Sequence, residues 1–100
     1  MDSSDAIIIF TALAQETRLN IYKLLVKNSL EGINPTQISK ILEIPKNTLS
    51  FHLSLLNQAG LCKITKKGKS YIYRPNCAKI KSLTDFLHKD CIACHHKTEV

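Results

Sequence analysis

Hydrophobic residues recur at three- and four-residue intervals up to Gly60, and at alternate positions beyond it. The first interval places side chains on one face of an α-helix, and the second places them on one face of a β-strand. The pattern therefore predicts three amphipathic helices. Their inward positions are Ile21, Leu24 and Leu25, then Ile38, Ile41 and Leu42, then Leu49, Leu53 and Leu56.

A helix over residues 6–14 precedes these three and is apolar around nearly its whole circumference. Ser3, Ser4 and Asp5 can cap its start. A surface helix of a single domain needs only one apolar face. We therefore expect this helix to pack inward on its own domain and outward on a second subunit, which predicts a homodimer.

Start and stop signals divide the next region into two short helices. Asn34 is a typical N-cap, Pro35 suits the first helical position, and Gln37 can reach back to the cap. Pro45 ends this helix, because the residue before a proline is pushed out of helical geometry. A new helix begins next to it, near Lys46. Two short helices joined by a tight turn form a helix-turn-helix.

Beyond residue 60 the pattern predicts a β-hairpin. Cys62 and Ile64 alternate with polar residues, as do Tyr71 and Tyr73, and the lysine-rich turn between the two strands contains Gly68. We expect Cys62 to be a small buried strand residue.

A last helix follows the hairpin, with Asn76 as its cap. Its apolar stripe consists of Ile80, Leu83, Leu87 and Cys91. The predicted fold is therefore mainly α with a small β-hairpin. It is a winged helix-turn-helix in the order α-α-α-α-β-β-α.

Composition narrows the class of protein. A chain of 100 residues that is 44% hydrophobic, with 3 Gly and 3 Pro, suits one packed domain. We expect that domain to span residues 1–100, with a flexible Cys- and His-containing tail over 91–100.

No apolar run approaches the roughly 20 residues that cross a bilayer, and Asp2 and Asp5 stand where a signal peptide carries positive charge. We therefore expect a cytoplasmic protein with no membrane partner, whose 4 cysteines are reduced.

The positive charge of the chain is concentrated in its middle. The formal net charge is +6, and residues 35–81 hold nine Lys or Arg residues against Glu43 alone. Such a block is typical of proteins that bind a polyanion. A solvated basic surface is the alternative.

The helix near Lys46 carries the candidate DNA contacts. Opposite its buried stripe lie Lys46, Asn47, Ser50 and Phe51, flanked by Thr48 and His52. Asn47 and Ser50 are short enough to read base edges in the major groove. Phe51 can meet a thymine methyl group, or it can make a contact within the domain. For His52, packing within the domain is favoured over DNA contact.

Lysines at the hairpin turn supply candidate backbone contacts. Lys66, Lys67 and Lys69 surround Gly68 and can reach phosphates, which position a protein without conveying sequence. A merely solvated hairpin tip is the alternative.

Three segments together resemble the ArsR/SmtB family of metal-responsive repressors, over residues 10–91. They are residues 13–21, LAQETRLNI; residues 47–53, NTLSFHL, with 57–61, NQAGL; and residues 67–74, KGKSYIYR. The resemblance implies that the protein is not an enzyme and that its partner is double-stranded DNA. It also implies a dimer built on the first and last helices, and repression that an inducer relieves.

The chain departs from this family where an inducer would bind. Many arsenic sensors of the family carry a cysteine pair at the start of the first helix of the helix-turn-helix, and residues 33–39 contain none. Zinc sensors of the family use D-x-H and H-x-x-E patterns on the last helix. Asp85 and His88 are one residue too far apart for the first pattern, whereas His96 and Glu99 keep the second.

A cluster of thiols and imidazoles near the C-terminus stands in place of those sites. On a continuing helix, Cys91, Cys94 and His95 lie at i, i+3 and i+4 and can face one ion, with His96 as a further candidate. Two thiolates and an imidazole suit Zn(II), whereas As(III), as the family suggests, takes three thiolates. Cys77 lies about 21 Å from Cys91 along a straight helix, so it could join only from a partner subunit. A thiol redox or persulfide switch and a frayed tail are the alternatives.

The leading hypothesis is a sequence-specific DNA-binding repressor that requires no cofactor. A thiol-binding inducer lowers its DNA affinity, with arsenite the first candidate and Zn(II) the second. The alternatives are a thiol redox or persulfide-responsive repressor, a winged-helix protein-interaction module without inducer, and a small metal-buffering protein.

Overall fold

The computed structural model of the protein describes residues 1–95, with side chains through Ala93. Its elements follow the predicted order α-α-α-α-β-β-α, with one further short helix at the end. They are α1 (Ser3–Leu13), α2 (Glu16–Lys27), α3 (Pro35–Leu42), α4 (Lys46–Gln58), β1 (Cys62–Lys67), β2 (Ser70–Pro75), α5 (Cys77–His88) and α6 (Ile92–His95). None of the helices in the described residues is long and apolar enough to cross a membrane.

The N-cap of helix α1 lies one residue before its predicted caps. Asp2 is the N-cap, and its Oδ1 accepts a hydrogen bond from Asp5 N at 2.9 Å. The carboxylate of Asp5 in turn accepts from Asp2 N at 3.0 Å, which completes a capping box. The prediction of Ser3 and Ser4 as caps is therefore wrong, because both lie inside the helix, whereas Asp5 is part of the box.

Helix α3 begins and ends where the sequence signals predict. Asn34 Oδ1 accepts from Gln37 N at 2.9 Å, and Gln37 Oε1 accepts from Asn34 N at 3.0 Å. The helix stops at Glu43, whose φ of 56° is left-handed. Ser39 Oγ then donates to Ile44 O at 2.6 Å. This short turn joins α3 to α4 and completes the helix-turn-helix.

One hydrophobic core joins α1 to α4 and the base of the hairpin. Its fully buried large side chains are Ile9, Ile21, Leu25, Ile38, Leu49, Leu56 and Leu61. Helix α1 buries one side in this core and leaves large apolar side chains on the other. Ile7, Ile8 and Phe10 are 61%, 53% and 45% exposed, and these three residues are called the α1 face below.

Strands β1 and β2 form an antiparallel hairpin, called the wing below, in which Lys66 pairs with Tyr71. Gly68 takes a φ of 64° in the turn, a conformation that favours glycine. At the other end Ile33 pairs with Tyr73, with Ile33 N donating to Tyr73 O at 3.1 Å and Tyr73 N donating to Ile33 O at 2.8 Å. The wing is therefore attached to the segment that leads into α3.

Arg74 fastens the wing to the loop between α2 and α3. Its Nε donates to Leu30 O at 3.2 Å and its Nη2 donates to Glu31 O at 2.9 Å. Its Nη1 donates to Thr65 Oγ1 on the neighbouring strand at 3.2 Å. One guanidinium thus holds two strands and a loop together.

Asn76 occupies the N-cap position of α5, but its side chain does not cap the helix as predicted. Its Nδ2 donates instead to Gly60 O at 2.9 Å, and its backbone N donates to Leu61 O at 2.9 Å. The chain leaving β2 is therefore tied to the chain leaving α4 directly before α5 starts.

Helix α5 stops at His88, so the predicted stripe does not continue to Cys91. Lys89 N bonds to Phe86 O and Cys91 N bonds to His88 O, both tight three-residue turns, before α6 begins at Ile92. Asp90 favours this stop, because aspartate is a poor helix former and its charge opposes the negative end of a helix dipole. The prediction that Cys91 belongs to the apolar stripe of the last helix is therefore wrong, and Cys91 does not lie on one continuous helix with Cys94 and His95.

Candidate nucleic-acid interface

Helix α4 divides into a buried face and an exposed polar face. Leu49, Leu53 and Leu56 lie in the core, as their spacing predicted. The exposed candidates are Lys46, Asn47, Thr48, Ser50 and Phe51. Because the buried side is anchored, the other side is held rigidly at the surface, which is what a helix that enters a DNA groove requires.

Ser54 belongs to the same exposed face, although the sequence reasoning missed it. It lies four residues after Ser50 and three after Phe51, so helical spacing alone could have found it. Its Oγ accepts a hydrogen bond from Gln58 Nε2 at 3.2 Å. Asn47, Ser50, Phe51 and Ser54 are called the reading face below.

The start of α4 has no side-chain cap, since Pro45 stands at the N-cap position. Asn47 Oδ1 accepts from Thr48 N at 2.9 Å, which holds the Asn47 side chain against the first turn. Lys46 is exposed beside them. A helix N-terminus with a lysine carries positive potential, which favours an approaching phosphate.

His52 faces the interior, so the structure does not support it as a DNA contact. Its side chain is 8% exposed, and its Nδ1 lies 3.2 Å from Arg18 Nη1. Burial first, and the Arg18 charge second, hold the pKa of His52 below its usual value. An imidazole buried in the core cannot reach a base edge, which agrees with the packing role that its position favoured. Its neighbour Phe51 is 60% exposed and contacts the His52 ring edge-on, with centroids 5.5 Å apart.

The wing presents its lysines to solvent. Lys66, Lys67 and Lys69 are all exposed around the turn at Gly68. Lys66 Nζ lies 5.7 Å from the centre of the Tyr71 ring, close enough for a cation–π interaction that steadies the lysine. Exposed ammonium groups at the tip of a ribbon suit contact with a phosphate backbone.

Other cations of the basic block are engaged within the protein. Arg74 donates to backbone carbonyls of the α2–α3 loop. Lys81 forms an ion pair with Asp85 at 3.0 Å on α5. Fewer cations are therefore available for direct contact with a polyanion than the sequence count suggests, and the lysines of the wing and the start of α4 are among those that remain exposed.

The described cysteines occupy three different environments. Cys62 is buried at the base of the wing, as predicted, and burial raises the pKa of its thiol to about 11. Cys77 is exposed at the first residue of α5, and Cys91 is half-buried in the turn after α5. The side chains of Cys94 and His95, and the whole of His96, lie outside the described residues. Over residues 1–93, His, Cys, Asp and Glu side chains form no group of three that could hold a metal ion.

Comparison with known proteins agrees with this geometry. A family model described as a helix-turn-helix domain matches residues 13–64. Over 88 residues the chain is 30% identical to the transcriptional activator HlyU of Vibrio cholerae, spanning 88% of this chain and 79% of the relative. It is 35% identical over 88 residues to a CadC homolog of Staphylococcus aureus, a cadmium resistance transcriptional regulatory protein, spanning 85% and 70% of the two chains.

Solved structures share the fold. An ArsR-like transcriptional regulator from Rhodococcus sp. superposes with a TM-score of 0.79 at 23% identity, over 86% of this chain and 78% of that one. The protein belongs to the ArsR family of helix-turn-helix transcriptional regulators. A homodimeric winged helix-turn-helix DNA-binding domain from Mycobacterium bovis, a possible ArsR-family regulator, superposes with a TM-score of 0.67 at 23% identity, over 93% of this chain and 86% of that one. Like its ArsR-family relatives, the chain is a DNA-binding regulator of transcription.

Proposed function

We propose that this ArsR-family protein is a cytoplasmic homodimeric repressor that binds one specific DNA duplex. Helix α4 is called the recognition helix below, and its reading face enters the major groove. Lys66, Lys67 and Lys69 of the wing contact the flanking backbone. The observation that carries the proposal is the α4 surface, where exposed short polar side chains stand opposite a fully anchored apolar stripe.

The α1 face supports the dimer. Three large apolar side chains are exposed together on one helix, and burying them against a second copy is favourable in proportion to the area removed from water. The homodimeric domain from Mycobacterium bovis offers a precedent in the same fold. A two-fold dimer presents two recognition helices to successive major grooves, so a palindromic site is expected.

Binding can be tested before the operator is identified. Duplexes are selected from a randomised pool with the wild-type protein, and the best one is compared with a scrambled duplex by fluorescence anisotropy. If each subunit neutralises three or four phosphates, log K falls with log salt at a slope of about −5 to −7. Equal affinity for the two duplexes would reject sequence-specific binding, and a monomer in sedimentation would reject the dimer.

We also propose that a thiol-binding inducer lowers the DNA affinity, with arsenite the first candidate and Zn(II) the second. The proposed ligands are Cys91, Cys94 and His95, with Cys77 of the partner subunit and His96 as further candidates. The donor set fits Zn(II) directly, and it fits As(III) only with a third thiolate. The exposure of Cys77 at the start of α5 supports it as that third thiolate, whereas buried Cys62 is excluded.

The inducer proposal has its own experiment. DNA affinity is measured with and without arsenite or zinc, for the wild-type protein and for the double variant C91S/C94S. We expect one of the two ions to release the wild-type protein from DNA and to leave the variant bound. The matched control is Cys62→Ser, which should respond like the wild type. Release of C91S/C94S by the same ion concentration, or no release of the wild type by either ion, would contradict the proposal.

A further inference from the structure

Arg18 joins three helices, two of which have different tasks in the proposed function. It lies on α2, its Nε donates to Ala12 O in the last turn of α1 at 2.7 Å, and its Nη1 meets His52 Nδ1 of α4 at 3.2 Å. One side chain therefore touches the helix that carries the α1 face and the helix that reads DNA.

The two Arg18 contacts are called the bridge below, and the contact at α1 supplies a hydrogen-bond donor to the C-terminal end of that helix. The last carbonyls of a helix have no partner within it, and α1 carries no basic residue in its last turn. The Arg18 guanidinium supplies both a donor and a positive charge there. Ala12 is itself buried, so this carbonyl depends on a protein donor. The contact fixes the end of α1 relative to α2.

The contact at α4 fixes the tautomer of the buried His52 imidazole. A guanidinium has donors and no acceptor, so Nδ1 of His52 must accept and carries no proton. His52 is the sole buried polar residue of the described chain. Its ring also lies against Phe51 of the reading face, with centroids 5.5 Å apart. A continuous set of contacts thus runs from Ala12 through Arg18 and His52 to the exposed Phe51.

Arginine suits this place because its planar fork holds two acceptors in fixed directions. The Arg18 backbone N donates to Gln15 Oε1 at 2.9 Å, which fixes the first turn of α2 around it. A lysine could satisfy one acceptor as a point charge, but it could not fix the angle between two. Arginine at this position therefore links α1 to α4 through two hydrogen bonds of fixed relative direction.

We propose that Arg18 is a positioning residue for the recognition helix: by joining the last turn of α1 to His52, it makes the orientation of the reading face depend on the placement of α1. This inference rests on the proposed function and deepens it. It identifies the route by which a change at the subunit interface reaches the DNA-reading surface. Arg18 acts through His52 and touches no base.

The test compares Arg18→Met with a matched control, Lys23→Met, which removes one positive charge from an exposed position of the same helix. Each is measured on the selected duplex and on the scrambled duplex. We expect R18M to weaken binding to the selected duplex about tenfold, as loss of a charge-assisted hydrogen bond would. Binding to the scrambled duplex should change by less than about twofold, because phosphate contacts carry no sequence information. K23M should keep the discrimination of the wild type.

Two further variants separate positioning from simple stabilisation. His52→Asn keeps an acceptor oxygen near the place of Nδ1 and should retain most of the discrimination, whereas His52→Leu should lose it. R18M and H52L combined should lose little more than either alone, since both break one bridge. Hydrogen exchange of the α4 amides should quicken in R18M and remain slow in K23M, and this readout needs no DNA.

The outcomes distinguish the two proposals. A wild-type protein that binds both duplexes equally overturns the proposed function and this inference with it. A wild-type protein that discriminates, with an R18M variant that discriminates equally in its folded fraction, overturns the inference alone. Equal losses in R18M on the two duplexes would also overturn it, because they would show a general loss of folded protein and not a misplaced reading face.

Discussion

Helices α1 and α4 have similar lengths and share one core, yet they expose opposite kinds of surface. Helix α1 covers 11 residues and exposes Ile7, Ile8 and Phe10. Helix α4 covers 13 residues and exposes Asn47 and short hydroxyl side chains around one phenyl ring. An apolar helix face is stable only when another apolar surface covers it, whereas a polar face is stable in water and can exchange water for a polar ligand.

This difference separates two requirements of a DNA-binding dimer. The α1 face gains free energy from any well-packed apolar contact, so it is suited to an identical copy. The reading face gains little from burial alone and depends on matching donors and acceptors, so it is suited to discriminating among base sequences. Substitutions on the two faces should therefore differ in kind as well as in size.

The largest effect is expected on the α1 face. Ile8→Glu places a charge on a surface that must be buried in the dimer, so the protein should become monomeric. Loss of the second half-site should lower affinity for the selected duplex by about 100-fold or more. Sedimentation measures the first effect and fluorescence anisotropy the second.

The control for I8E is Asn20→Glu, which adds the same charge to an exposed position of α2. N20E should remain dimeric and lose several-fold less affinity than I8E. A dimeric I8E protein would show that the α1 face is not the subunit interface.

The next effect is expected on the reading face. Asn47→Ala removes an amide that can pair with a base edge, and each such pair contributes about 1–3 kcal/mol of discrimination. We expect affinity for the selected duplex to fall by about tenfold or more, while the salt dependence of binding stays unchanged. Anisotropy titrations at several salt concentrations measure both quantities.

Ser54 offers a graded comparison for N47A. Ser54→Ala lies at the far end of the reading face and should have the smaller effect. An N47A protein with unchanged discrimination and a reduced salt slope would show that Asn47 contacts the backbone and not a base.

The contrast between the two faces was readable from the sequence, because it depends on local spacing. Periodicity placed Leu49, Leu53 and Leu56 in the core, and the exposed positions of α4 followed from the same helix. The capping box of Asn34 and Gln37 could be predicted in the same way, because its two residues are only three positions apart in sequence.

Contacts between distant parts of the chain could not be predicted from the sequence. Arg18 and His52 are 34 residues apart, and they meet only because α2 and α4 pack side by side. Arg74 entered the sequence argument as a cation of the basic block, yet it donates to carbonyls more than 40 residues away. The break after His88 was also missed, because an apolar stripe continues in sequence through a point where the backbone turns.

A smaller effect is expected at the wing. Lys67→Gln removes one backbone contact per subunit, so affinity for selected and scrambled duplexes should fall together by several-fold. The salt slope should become less steep by about two units in the dimer, at about 0.9 per phosphate. This pattern is the reverse of that expected for Asn47→Ala, and the same titrations separate the two.

Lys81→Gln is the matched control for K67Q, because Lys81 is paired with Asp85 on α5. K81Q should leave the salt slope unchanged. If K81Q reduced the slope as much as K67Q, the charge would act through the net charge of the protein and not through the wing.

The smallest effect is expected at a position on neither face. Asn34→Ala breaks the capping box that starts α3, which should lower the free energy of unfolding by about 1 kcal/mol in chemical denaturation. Thr36→Ala is the control, because Thr36 is exposed within α3 and takes no part in the box. Both variants should keep wild-type affinity for the selected duplex, since α3 supports the recognition helix through buried Ile38 and not through its cap. A marked loss of DNA affinity in N34A at unchanged stability would place the start of α3 on the DNA and extend the polar surface beyond α4.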